Sequence, residues 1–153
     1  MLDLIGTYEC KLDNKHRLAV PSGLLKQLPP ENDGRFIINR GFEANLMLYP
    51  AAEWDRMRTN VEQLNRFDPE VRQFVRNLYR YANPLKLDSN NRLLLPKSLL
   101  EYAGIKDELL ISCVGPEIEI WNPDFYASEI AMPPQEFAQL AKKLLVHPLV
   151  DST

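Results

Sequence analysis

The residues with the clearest chemical potential are two arginines, Arg17 and Arg92, each of which follows an aspartate by four positions. An arginine guanidinium can clamp a phosphate or contact the edge of a guanine with two hydrogen bonds. Aspartate opens turns because its carboxylate accepts hydrogen bonds from backbone N–H groups one or two residues further on. Each Asp-to-Arg segment therefore predicts a charged turn that could bind a polyanion. A surface ion pair with no ligand would give the same pattern, and the residues alone leave both interpretations open.

The two arginines belong to an internal duplication. Residues 12–28 (LDNKHRLAVPSGLLKQL) match residues 87–103 (LDSNNRLLLPKSLLEYA) without a gap at an offset of 75, with seven identities in seventeen positions. A second match, at an offset of 72, aligns LMLYPAAEW at 46–54 with IEIWNPDFY at 118–126. Each half thus repeats a strand, a polar turn, a second apolar strand, a Pro-opened helical turn and a later strand that ends in an aromatic residue.

Charge is distributed unevenly along the chain. The net charge of −3 argues mildly against a nucleic-acid partner, and residues 101–153 hold nine acids against three bases. Each repeat motif is nevertheless locally +2, with one aspartate against three basic residues: Lys11, Lys15 and Arg17 in the first, and Lys86, Arg92 and Lys97 in the second. This distribution predicts two basic turns on an acidic body. The second turn itself is less charged, because it holds Ser89, Asn90 and Asn91. We therefore expect the two copies to bind a polyanion with unequal affinity.

The composition favours none of the common catalytic or metal-binding arrangements. Cys10 and Cys113 lack CxxC or Cys/His spacing and lie in strand-like stretches, which predicts reduced packing residues. His16 and His147 fall in a turn and in the tail, and no Gly-rich phosphate loop, HExxH or GxSxG occurs. We therefore expect neither an enzyme nor a cofactor. Without an apolar run of about 18 residues or a signal-like N-terminus, the sequence predicts a cytoplasmic protein.

Hydrophobic periodicity predicts the elements that position the turns. Apolar and polar residues alternate over 5–12, as in a strand, and the alternation resumes at 18–20 beyond the turn. This pattern indicates a local hairpin. Strands are also predicted at 36–38 and 46–49, and amphipathic helices at 51–65 and from the Asp68 cap and Pro69 onward. Trp54 and Trp121 are expected to pack at equivalent places in the two halves.

A last helix follows Pro133 and Pro134, and its apolar stripe must be covered by this chain or by a neighbouring subunit. The stripe comprises Phe137, Leu140, Ala141, Leu144 and Leu145. The tail from Pro148 is expected to be loosely held.

The double D-x-x-x-R turn, followed each time by apolar-x-apolar-Pro, resembles the MraZ family of bacterial transcriptional regulators, as do the LMLYP…EW and IEIW segments. The resemblance implies an α+β fold in which two AbrB/SpoVT-type swapped-hairpin β units pair within one chain, with linking helices and a C-terminal helix. The implied boundaries are 5–51 and 81–124 for the two units, 52–80 for the linking helices, and 125–153 for the C-terminal helix and tail.

The resemblance also implies a function. Such a protein would be a sequence-specific DNA-binding regulator of the division and cell-wall gene cluster, acting as a ring-like homo-oligomer on direct repeats of promoter DNA, in the cytoplasm and associated with the nucleoid. Asp13 and Asp88 would shape the turns. The expected DNA-binding residues are Lys11, Lys15, His16, Arg17, Lys86, Asn90, Asn91 and Arg92. The alternative is an oligomeric assembly module that does not bind DNA, or an antitoxin-like module whose C-terminal helix covers a partner.

One position departs from the family pattern. The family turn usually reads D-x-x-G-R, whereas His16 and Asn91 stand at the glycine position here. Asn and His are enriched among non-glycine residues with positive φ, so we expect the same turn to persist, with some strain at His16. The added side chains could change promoter sequence preference and affinity.

Overall fold

The structure, a computed structural model, describes residues 2–145, so His147 and the tail from Pro148 lie outside the described residues. The first copy of the repeat contributes β1 to β4 and the second contributes β5 to β8. In chain order the elements are β1 Leu4–Lys11, β2 Arg17–Ala19, α1 Ser22–Leu25, a 3₁₀ turn Pro30–Asn32, β3 Arg35–Arg40, β4 Leu46–Pro50, α2 Ala51–Glu62, α3 Pro69–Arg80, β5 Asn83–Lys86, β6 Arg92–Leu94, α4 Lys97–Tyr102, β7 Glu108–Gly115, β8 Glu117–Trp121, α5 Pro123–Glu129 and α6 Pro134–Leu144.

Six strands form one antiparallel sheet in the order β1-β7-β8-β4-β3-β5, and β2 pairs with β6 in a separate ribbon. The order is unchanged when each strand is replaced by its equivalent in the other copy and the list is reversed. A pseudo-twofold axis therefore relates the copies, and it passes between the central strands β4 and β8. The predicted α+β fold, with two units paired inside one chain, is confirmed.

The predicted local hairpin of residues 5–12 and 18–20 is wrong. The turn is tight, since Asp13 N donates to Arg17 O at 3.1 Å, but β1 pairs with β7 of the other copy and β2 pairs with β6. This exchange of strand partners between the copies follows from strand length. Strand β7 can pair with all eight residues of β1, whereas β2 has only three residues. Period-two alternation predicts a strand but not the identity of its partner.

The main core lies between the ribbon and one face of the sheet. Leu18 and Leu93, at the centre of the ribbon, have no exposed surface and pack in the same cluster as Phe36 and Ile38 of β3. Burying a leucine completely contributes about 1.5–3 kcal/mol. The cluster also contains Leu24 of α1. The ribbon is thus fixed to the sheet along its whole inner side.

The linking helices cover the opposite face of the sheet. Successive strand residues point to opposite faces, and Ile37 packs with Met47, Trp54 and Met57 rather than with its neighbours Phe36 and Ile38. Helix α3 begins as predicted, because Pro69 is its first residue and the Asp68 side chain accepts from the N–H of Glu70. The ribbon and the linking helices therefore lie on different sides of the molecule.

The expectation that Trp54 and Trp121 occupy equivalent places is wrong. An edge-on Trp–Tyr pair occurs at matching positions of the two halves: Tyr49 with Trp54 at 5.4 Å between ring centroids, and Trp121 with Tyr126 at 5.9 Å. Trp54 also lies edge-on to Tyr79, at 5.9 Å. The offset of 72 makes Trp121 the equivalent of Tyr49, and Tyr126 the equivalent of Trp54. The pair thus recurs in both halves with the positions of Trp and Tyr exchanged.

Cys10 and Cys113 are free and pack partly buried against the main core, as predicted. Their backbone partners across the β1–β7 pairing are Leu109 and Gly6, so the two thiols do not oppose each other. Burial raises the pKa of both thiols. Among the helices of residues 2–145, none has the length and apolar character needed to cross a membrane.

Candidate nucleic-acid interface

The β2–β6 ribbon carries the two arginines on its outer face. Its register pairs Arg17 with Leu94, Leu18 with Leu93, and Ala19 with Arg92. Alternation sends the central leucines into the core, so the other four side chains face outward. Two equivalent hydrogen bonds extend the ribbon, from Val20 N to Asn91 O and from Leu95 N to His16 O, both at 3.0 Å. The arginines are thereby diagonal neighbours about the pseudo-twofold axis.

The first turn is organised by Asp13. Its Oδ1 accepts from the backbone N–H groups of Lys15 and Arg17 at 2.9 Å, and its Oδ2 accepts from Nε of Arg17 at 2.7 Å. These donors favour the ionised carboxylate, and the backbone N–H of Arg17 contributes most. They lower the pKa of Asp13 to about 2. One carboxylate thus fixes both the turn and the direction of the arginine side chain.

Asp88 organises the second turn in the same way. Its Oδ1 accepts from the N–H groups of Asn90 at 2.8 Å and Arg92 at 3.0 Å, while its Oδ2 accepts from Nε of Arg92 at 2.9 Å. The backbone N–H of Arg92 is the largest cause of its lowered pKa. Residues that differ at three inner positions therefore build the same turn twice.

The residues at the family's glycine position adopt the backbone that glycine would favour. His16 has φ of 61° and Asn91 has φ of 58°. Both values lie in the left-handed region, where a Cβ atom is crowded against the following carbonyl. The expectation that the turn persists in both copies is confirmed, and the two side chains stand at the tips of the turns.

An ion pair uses only part of each arginine. In both copies the aspartate accepts a hydrogen bond from the arginine Nε. Within residues 2–145 the Nη groups of Arg17 have no hydrogen-bond partner. The side chains of Arg17 and Arg92 are 28% and 27% exposed. The aspartates therefore orient both guanidinium groups through Nε, and Nη1 of Arg92 also lies 3.9 Å from Asp13 Oδ2.

The remaining predicted residues lie around the turns. Lys11 ends β1 and Lys86 ends β5, so both occupy the outermost strands of the sheet where the chain enters a turn. Lys86 Nζ lies 3.8 Å from Asp33 Oδ2, and both side chains are exposed. Lys15 and Asn90 are exposed at equivalent turn positions. The structure thus brings all eight residues to the two turns and the ribbon between them.

Arg35 is a basic residue of this region that sequence reasoning missed. It is exposed at the start of β3 and is the backbone partner of Lys86, whereas Glu108 is the partner of Lys11. The second turn therefore gains a neighbouring positive charge where the first has a negative one, which offsets part of its lower charge. The swapped pairing of β3 with β5 is what places Arg35 there, and only a correct prediction of that pairing could have revealed it.

The chain is similar in sequence to known proteins over nearly its whole length. The sequence model of the MraZ protein family, described as antitoxin-like, matches residues 4–77 and again residues 78–145. Transcriptional regulator MraZ of Cytophaga hutchinsonii is 39% identical over 140 residues, which cover 92% of this chain and 93% of that protein.

Two further relatives carry the same name. Transcriptional regulator MraZ of Christiangramia forsetii is 40% identical over 146 residues, covering 95% of this chain and 94% of that protein. The protein of Flavobacterium psychrophilum is 36% identical over 146 residues, covering 95% and 93%. These names are those of a regulator and not of an enzyme, in agreement with the prediction. With both repeats matched and the likeness extending over nearly the full chain, the protein belongs to the MraZ family.

Proposed function

We propose that this protein is a sequence-specific, DNA-binding transcriptional regulator that contacts DNA through the outer face of the β2–β6 ribbon and its two turns. The observation that carries the proposal is the duplicated Asp–Arg geometry, in which both arginines face outward and are held through Nε. Within residues 2–145 the Nη groups of Arg17 have no hydrogen-bond partner, and Nη1 of Arg92 lies 3.9 Å from Asp13 Oδ2. An ion pair that served only the stability of the fold would gain little from this arrangement at either site, since an exposed pair contributes only about 0–1 kcal/mol. The names of the relatives support the regulatory role.

The shape of the ribbon suits the DNA major groove. That groove admits a two-stranded β ribbon, and arginine is the side chain that most often contacts guanine there. Lys11, Lys15 and Lys86 border the ribbon, where they would contact phosphates and set its position. Asp13 and Asp88 act by holding the turns and arginines, because a carboxylate facing a polyanion would repel it.

Oligomerisation explains how an acidic protein could bind DNA. A single basic turn binds weakly and loses affinity as salt rises. A ring that carries several such turns along one edge gains from effective concentration when it meets successive direct repeats. In this proposal residues 5–51 and 81–124 are the two DNA-binding units, 52–80 link them, and the part from 125 onward makes subunit contacts.

Two surfaces support head-to-tail assembly. On α6, Phe137 and Leu144 are 68% and 67% exposed, so the described chain leaves most of the stripe uncovered. Between α2 and α3, Phe67 is 91% exposed and is accompanied by Leu64 and Phe74. Arginines surround the second surface, whereas the chain after residue 100 is acidic. Contacts between two different surfaces of one chain close into rings when the rotation permits.

Family membership supports the promoter of the division and cell-wall gene cluster as the target, with cytoplasmic, nucleoid-associated protein acting at direct repeats. The test is binding to a fragment from upstream of the protein's own gene, compared with a shuffled fragment of equal length and composition, over a salt series. We expect tighter binding to the natural fragment at every salt concentration. Equal binding to both fragments would contradict sequence-specific regulation.

A second candidate is an assembly or antitoxin-like module that does not bind DNA. The uncovered stripe of α6 favours it, because an antitoxin covers its partner with such a helix, and the family description is antitoxin-like. Purification of the chain from its own cells distinguishes the two functions. Stoichiometric recovery of an unrelated small protein on α6, without DNA binding, would favour this candidate.

A further inference from the structure

Leu94 is a large apolar side chain on the basic outer face of the ribbon, next to both arginines. It is 60% exposed, although its neighbours Leu93 and Leu95 are buried in the core. Its backbone partner across the ribbon is Arg17, and Arg92 lies two residues before it on the same face. A single exposed leucine is ordinary on a protein surface. The position of this one, between two outward-facing arginines, is not explained by packing.

The other copy shows that the fold does not require a leucine here. Ala19 occupies the equivalent position, 75 residues earlier, in a strand with the same register and the same flanking hydrogen bonds. Alanine and leucine therefore satisfy the same backbone and the same core. Leu94 breaks the pseudo-twofold symmetry of the outer face at a position where the backbone is equivalent and the side chain differs.

We propose that Leu94 contacts the 5-methyl group of a thymine in the DNA major groove and thereby determines part of the site sequence. This inference rests on the proposed DNA-binding function. Thymine is the base that presents an apolar methyl group at the major-groove edge, and apolar side chains contact it there. Arg17, directly across the ribbon, would contact the neighbouring base or its phosphate.

The asymmetry also gives the ribbon a direction. A ribbon with exact twofold symmetry would accept a site equally well in either orientation. With Leu94 at one end of the outer face and Ala19 at the other, one orientation places a thymine methyl against the leucine and the reverse orientation does not. Direct repeats need such a polarity, because every subunit must read its repeat in the same sense.

The test uses a single-site duplex obtained by selecting tight binders from a random pool with the full-length wild-type protein. Its thymines are then replaced by deoxyuridine, which removes the 5-methyl groups and leaves base pairing intact. The wild type should lose affinity about fourfold for each contacted methyl, the equivalent of about 0.8 kcal/mol. Leu94→Ala should bind the thymine duplex more weakly by a similar factor and bind both duplexes alike. Val114→Ala, which truncates an exposed valine on β7, should keep the wild-type ratio.

Different results would refute the thymine contact and the DNA-binding function on which it rests. If the wild type does not distinguish the two duplexes, or if Leu94→Ala still distinguishes them, the thymine contact is refuted. A change in oligomer mass on Leu94→Ala would make Leu94 a subunit contact and would also overturn the inference. If selection returns no preferred sequence, or if Arg17→Ala/Arg92→Ala binds as the wild type does, the proposed DNA-binding function itself fails.

Discussion

The carboxylate of Asp13 lies 3.9 Å from Nη1 of Arg92, although the two residues belong to different copies of the repeat. Asp13 Oδ2 also accepts from Arg17 Nε at 2.7 Å, so one aspartate contacts both outward-facing arginines. Arg92 in turn is held by Asp88 at 2.9 Å. The two turns are therefore parts of one charged cluster across the ribbon.

The lowered pKa of Asp13 gives a pH dependence of folding. Its folded pKa of about 2 lies below the unfolded value of about 3.9, so the ionised carboxylate stabilises the folded state. This contribution is complete above about pH 4 and is lost as the pH falls through 2. We expect a carbon NMR titration of Asp13 to have its midpoint near pH 2, and Asp13→Asn to reduce the rise of unfolding free energy between pH 2 and 4. A midpoint near the unfolded value would contradict the hydrogen-bonding scheme.

His16 should carry backbone strain that glycine would relieve. A left-handed φ costs a non-glycine residue roughly 1–2 kcal/mol, and the entropy of glycine in the unfolded chain offsets roughly 0.5–1 kcal/mol of the gain. His16→Gly should therefore raise the free energy of unfolding by up to about 1 kcal/mol, measured by urea denaturation. Asn91→Gly should give a smaller gain because asparagine tolerates this region well.

The control for this prediction is His16→Ala, which keeps the Cβ atom and should be less stable than His16→Gly. Equal stability of the alanine and glycine variants would show that the left-handed backbone carries no strain at residue 16.

Neighbouring leucines of β6 should differ sharply in their contribution to stability. Leu93 has no exposed surface, and truncation of a buried leucine to alanine costs about 2–5 kcal/mol. Leu94 points outward, so Leu94→Ala should change the free energy of unfolding by less than about 0.5 kcal/mol. Thermal or urea unfolding of the two variants checks this. A large loss on Leu94→Ala would place its side chain in a packed contact.

Much of the fold follows from the sequence because its signals are local. The offset match of Asp13 with Asp88 predicted the paired turns, and Pro69 with Asp68 predicted the start of α3. The exchange of β1 between copies is not local, since it depends on which strand can satisfy eight residues of backbone. Arg35 could not be predicted for the same reason, because its place beside Lys86 exists only through the equivalent pairing of β5 with β3.

The stripe of α6 should control oligomer mass. Phe137→Ala/Leu144→Ala removes two exposed apolar side chains, so the fold of the single chain should be unaffected while subunit contacts weaken. Sedimentation or mass photometry should show smaller species than the wild type. These species should bind DNA with several direct repeats much more weakly, because the gain from effective concentration is lost. Tight binding of such DNA by a demonstrably monomeric variant would refute the role of the ring.

A pair of charge-matched double variants tests whether Arg17 and Arg92 contact DNA. Arg17→Ala/Arg92→Ala removes two positive charges from the ribbon. Arg56→Ala/Arg58→Ala removes the same charge from the exposed side of linking helix α2, on the other side of the sheet. Both would be checked for wild-type oligomer mass before binding to the upstream fragment is measured over a salt series.

We expect the ribbon variant to lose sequence-selective binding and to show a shallower dependence of affinity on salt, because fewer phosphate contacts release fewer counterions. The linking-helix variant should retain both the selectivity and the salt dependence of the wild type. If the two double variants bind alike, the arginines of the turns serve the fold alone, and the proposed interface is wrong.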